Sequence, residues 1–156
     1  RLWSLIRRTP WLDWQLLTKR ATLIKRRLPA DWGEGYPNVW LGVTVEDMAH
    51  GMPRIDHLSQ VPATVRFLSV EPLLEDLPGL MLKLGHIHWV IGGGESGPRC
   101  RPMLIEWLDG VLLDCAEAGV PVWFKQWGGR GKDKGGYTYA GSEIKHWPEG
   151  HERESV

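Results

Sequence analysis

Chemistry-bearing side chains stand where short apolar runs give out. Lys19 follows Leu16-Leu17-Thr18, Glu46 follows Val43-Thr44-Val45, and Ser69 and Glu71 flank Val70. Glu95 follows Gly92-Gly93-Gly94, and Lys125 follows Phe124. Charges at the ends of buried segments are costly unless they are paired or engaged by a ligand. Two readings follow: the three acids and two lysines seal one another as ion pairs, or they line a polar ligand site. Residues 92–97 match G-x-G-x-x-G, but Pro98 and Pro102 intervene before the next helical run, and a dinucleotide loop needs its helix to begin at once. A glycine turn still lets a ligand approach the backbone at Gly93 and Gly94, beside Glu95 and Ser96. Ser96 misses the hydrolase elbow, because Pro98 stands where that motif needs glycine. The six histidines are scattered, without ligand spacing.

The elements that must position these groups are legible as alternating segments. Five short apolar runs bounded by turn residues read as strands: Trp14 to Lys19, Val39 to Glu46, Val65 to Glu71, His88 to Gly93 and Val120 to Trp127. Helical patterns occupy Arg1 to Arg8, Arg20 to Leu28, a stretch within Asp47 to Gln60, and Met103 to Ala118, which Gly119 stops. Leu74 to Gly85 reads as loop with a helical turn. Strand–helix alternation predicts a parallel sheet with helices outside it.

Strand parity adds a direction. Leu41, Val43, Leu68, Val70, Val122 and Phe124 fall on one face, suited to packing under helices, while Lys19, Glu46, Ser69, Glu71, Glu95 and Lys125 fall on the other or on its upper rim. An open doubly wound sheet wants both faces apolar, whereas a barrel tolerates polar groups at its C-terminal mouth. We therefore expect an α/β fold, a partial (β/α) barrel of about five parallel strands over residues 1–128. A Gly-rich loop and loose C-terminal tail should follow over 129–156, with Tyr137 to Tyr139 as a short edge strand and His151 to Val156 poorly ordered. Five strands do not close an eight-stranded barrel, and the chain opens on Arg1 inside a helical pattern; both lead us to expect a longer parent chain.

The 156 residues carry 19 basic and 19 acidic side chains, 42% hydrophobic residues and ten tryptophans, which excludes a disordered or collagen-like polypeptide. The zero net charge conceals an asymmetry, since residues 1–30 hold eight Lys and Arg against Asp13 alone. Arg7, Arg8, Lys25, Arg26 and Arg27 could form a phosphate-facing stripe for nucleic acid, or simply a solvated helix face. No apolar run is long enough for a membrane span. Cys100 and Cys115 make neither a disulfide framework nor a metal site, and suit a reducing, cytoplasmic compartment. Cys115, on an apolar helix face, reads as an inert core thiol.

The segments 16–20 (LLTKR), 38–46 (NVWLGVTVE), 66–74 (RFLSVEPLL), 93–98 (GGESGP) and 124–128 (FKQWG), in this order, resemble the phage gene-product thirty-seven/sixty-eight family, uncharacterised proteins of phages and bacteria. The likeness runs from about Arg1 to Trp147. It implies a divergent radical S-adenosylmethionine (SAM) barrel akin to the spore photoproduct lyase group. Members carry an upstream cysteine triplet for a [4Fe–4S] cluster, which Cys100 and Cys115 do not match. The resemblance therefore implies SAM and a cluster for the full-length parent, and no iron or activity for this chain alone. In that frame Glu71 or Glu95 faces the SAM amine and Lys19 or Lys125 its carboxylate, beside a small-molecule or nucleotide substrate. The competing class is a non-enzymatic nucleic-acid-binding or structural phage protein that uses the basic first third.

Overall fold

The computed structural model describes residues 1–151. Strands β1 (Trp14–Thr18), β2 (Val39–Thr44), β3 (Val65–Val70), β4 (Trp89–Gly92) and β5 (Val122–Phe124) form one parallel sheet in the order β1-β2-β3-β4-β5. A doubly wound sheet reverses its strand order at a switch point, and this one winds in a single direction, as a barrel does. The result is a barrel-like α/β half-sheet. No described helix is long and apolar enough to cross a membrane.

Helices α1 (Leu2–Arg8), α2 (Ile24–Arg27), α3 (Met48–Ser59) and α4 (Ile105–Ala118) cover one face. Their buried Ile6, Ile24, Ile55, Leu58, Leu108 and Val111 meet Leu41, Val43, Leu68, Val70, Val122 and Phe124, the set that strand parity assigns to this side. Asp47 caps α3 by accepting from the His50 backbone N–H at 2.7 Å. Gly119, in the left-handed region at φ 68°, ends α4. The segment read as loop holds a 3₁₀ helix, Leu80–His86, which buries Leu80 and Leu84 under α3 and α4. A three-residue repeat of apolar positions is easily missed in sequence.

The opposite, concave face carries a second, aromatic cluster of Trp40, Val65, Phe67 and Trp89, flanked by Ile91, Trp123 and Trp147. Gly42 makes room for it, since a Cβ there would run into the Phe67 ring. The tail expected to be loose is fastened here up to His151. A hairpin of β6 (Thr138–Tyr139) and β7 (Ser142–Glu143) leads into residues 144–146, which run antiparallel along the free edge of β5. Phe124 N–H donates to Ile144 O at 2.8 Å and His146 N–H to Val122 O at 3.0 Å. Trp147 then stacks on Trp89 at 5.2 Å, and the His151 ring stands edge-on to Trp40 at 4.8 Å. Glycine-rich composition signals a mobile loop, but buried tryptophan area and a sheet edge to pair with override it. The rest of the stretch expected to be disordered, residues 152–156, lies outside the described residues.

Replacing Gly42 with alanine should destabilise the fold by about 1–3 kcal/mol, because the Phe67 ring must leave its place under Trp89. Urea denaturation monitored by tryptophan fluorescence measures this, and an unchanged midpoint would show that the aromatic layer is loosely packed.

Candidate functional site

Each strand ends in residues that the ladder still holds. Val45 N–H donates to Ser69 O, Gly93 N–H to Val70 O and Lys125 N–H to Gly92 O, at 2.9, 3.1 and 2.9 Å. The charged groups are thereby set on a backbone frame rather than on free loops.

Glu46 is ion-paired with Lys19, and Arg54 from α3 reaches both its carboxylate at 3.2 Å and Thr44 O at 2.9 Å. Burial pushes the Glu46 carboxyl up, but the hydrogen bonds and charges of Lys19 and Arg54 outweigh it and hold the group below its ordinary range. Glu71 accepts from Gln126 Nε2 at 2.6 Å and meets Lys125 Nζ at 3.1 Å. Gln126, 5% exposed, also donates to Gly94 O at 3.3 Å and so joins the ends of three strands. Glu95 takes a two-pronged contact from Arg101, at 2.9 and 2.8 Å, plus the Arg101 backbone N–H at 2.8 Å. Those hydrogen bonds, side chain first, hold its carboxyl down at about 2.

The residues expected to form one site fall into three places. Ser69, Glu71 and Lys125 line a cavity of about 760 Å³ on the concave face, together with Gln15, Leu17, Phe67, Ile91, Trp123 and, from the tail, Tyr137, Glu143, Lys145 and Trp147. Lys19 and Glu46 pair above β1 and β2, outside that lining. Glu95 and Ser96 line a separate small cleft with Arg99 and Cys100. Gly93 and Gly94 admit backbone rather than leaving open space, since a Cβ on Gly94 would run into Trp127 O. Gly94 N–H donates to Gln126 O at 2.9 Å, and Gly129 N–H to Glu95 O at 2.9 Å. The glycines serve the crossing of two loops.

Sequence reasoning missed Gln126, Arg54, Arg101 and the tail's contribution to the cavity. Gln126 sits in the quoted Phe124-Lys125-Gln126-Trp127 run, yet only the fold shows its amide buried against Glu71. The basic first third lies elsewhere. Arg7 pairs with Asp31 at 2.9 Å, and Lys25 reaches Gln60 at 3.5 Å, at the end of α3 opposite the cavity mouth. Cys115 is buried in the core, where burial, aided by the charge of Asp114, pushes its thiol up to about 12. Among the described residues no group of three or more His, Cys, Asp and Glu could hold a metal ion.

The depressed Glu95 carboxyl has a pH signature. Its ordinary value is 4.5, so the Arg101 pair supports the fold above that pH and its contribution is lost as pH falls toward 2. Carboxyl NMR titration should place the Glu95 midpoint near 2, and Arg101→Met should return it toward 4.5. A variant midpoint still near 2 would assign the shift to the loop backbone instead.

Comparison with curated proteins and with solved structures gives no match. A family described as protein of unknown function (DUF5131) matches residues 1–148, nearly the whole chain. By that match the chain belongs to this family.

Proposed function

We propose that the chain forms the SAM-binding side of a radical-SAM-like barrel protein of phages and bacteria, and that its ligand sits at the concave mouth. One observation carries the reading: Ser69, Glu71 and Lys125 stand at the carboxyl ends of parallel strands over an aromatic floor, in a single cavity of about 760 Å³. Sites in barrels of this type are built at that end. A carboxylate beside an ammonium matches the amine and carboxylate of an amino-acid group, and the Phe67, Ile91 and Trp123 surface suits a purine. Glu71 would hold the ligand's amine, Lys125 its carboxylate, and Gln126 would keep the Glu71 carboxylate turned to the cavity.

SAM in such proteins supplies radical chemistry; the residues of this chain bind it, orient it and exclude water. Cys100 and the buried Cys115 do not make a cluster site.

Isothermal titration with SAM tests the reading. Glu71→Gln should weaken binding about tenfold or more while the melting temperature moves by only a few degrees, since the glutamine can still accept from Gln126. Unchanged affinity, or collapse of the fold, would make Glu71 a structural member of an ion pair.

A second reading rests on a different observation. The Trp3 indole N–H donates to Arg27 O at 3.0 Å, which ties α1, carrying Arg7 and Arg8, to the end of α2, carrying Lys25, Arg26 and Arg27. Such a surface suits a nucleic-acid backbone, and binding of a short duplex should then fall steeply between 50 and 200 mM salt, by roughly tenfold for every two phosphates contacted. Lack of binding at low salt would leave these residues as a solvated face.

A further inference from the structure

The hairpin that closes one side of the cavity holds an ammonium between two aromatic rings. Lys145 faces Trp123 across the antiparallel bridge beside β5, with its Nζ 5.8 Å from the Trp123 ring centre and 5.4 Å from that of Tyr137. Both distances lie inside the range in which a ring's negative face attracts a cation. Glu143, two residues back, forms an ion pair with the same ammonium. Trp123 is braced from beneath by the Trp147 ring at 4.9 Å and cannot easily turn away.

All five side chains line the cavity already described, and the Lys145 and Glu143 side chains keep 44% and 40% of their surface exposed. Two aromatic faces with a carboxylate form the recognition pattern for onium groups. A lysine ammonium is strongly hydrated and rides on a flexible stem, so it is a weak occupant. A methylated ammonium or a sulfonium is poorly hydrated and gains more from the same faces.

We infer that Trp123, Tyr137 and Glu143 form a binding site for an onium group, quaternary ammonium or sulfonium, and that Lys145 fills it as a tethered internal competitor. When Lys145 swings out, the incoming cation faces Glu143, with the neighbouring Glu71–Lys125 pair neutral as a unit, so the charge in the cavity stays balanced. The site shares its cavity with Glu71 and Lys125 but does not depend on SAM being the ligand there.

The probes are tetramethylammonium and trimethylsulfonium chloride, with tert-butanol as the neutral control of similar shape, followed through the Trp123 indole N–H signal by NMR. Lys145→Gln should bind both cations at least about threefold more tightly than the parent chain, and tert-butanol should cause no saturable shift. Tyr137→Leu in the Lys145→Gln background should reverse the gain; Tyr137 is half exposed, so this variant keeps the fold even where Trp123→Leu does not. Equal binding by the parent and Lys145→Gln, retention of the gain without Tyr137, or binding of tert-butanol like the cations would each overturn the inference. None of these probes is SAM, so failure of the SAM reading leaves this result intact, and the reverse holds too.

Discussion

The pleat of five parallel strands is the constraint on which everything else depends. Successive side chains point to opposite faces, so one residue of register decides whether Leu68 or Ser69 lies under the helices. With Leu41, Val43, Leu68 and Val70 on the helical side, Trp40, Phe67 and Trp89 necessarily face the hollow. That second face is too apolar to stand in water. Trp147 and His151 from the tail cover its lower part, and the upper part, where the residues turn polar, stays open as a cavity.

The pairing across the mouth follows from the same geometry. Neighbouring strands bring acids and bases that are far apart in sequence within hydrogen-bond reach, such as Glu71 with Lys125 and Gln126. All three mouth acids are ion-paired, and of the three only Glu71 lines the main cavity. Glu46 and Glu95 are each engaged by arginine and lie outside the main cavity. Glu71 is held by a neutral amide and by a half-exposed lysine within it, an arrangement that a ligand's amino-acid group could join without stranding a buried charge.

The tail serves both uses of the hollow. It protects the outer edge of β5 from pairing with other chains and supplies Tyr137, Glu143 and Lys145 to the cavity wall. A segment of glycines and charges thus becomes part of the cavity wall by being tied at a few points, through Trp127 to Thr138 O and Trp89 to His146 O, both at 2.8 Å.

The sequence alone determined the strand–helix alternation, the two faces of each strand and the burial of Cys115, because these depend on local periods of two and 3.6 residues that any reader of the chain can count. Strand ends ran long in that reading: Val120 to Trp127 narrows to Val122–Phe124, since Pro121 lacks a donor and Val120 N–H turns back to Cys115 O. Tertiary structure alone decided which charges meet. Lys19 with Glu46, Glu95 with Arg101 and Glu71 with Gln126 are set by strand order and loop crossing, which no local pattern encodes. It also decided the fate of the glycine turn and the tail. Gly94 is consumed by the Trp127 backbone, and Trp89 reaches His146 O across 57 residues, because close packing rewards contacts that only the folded chain brings together.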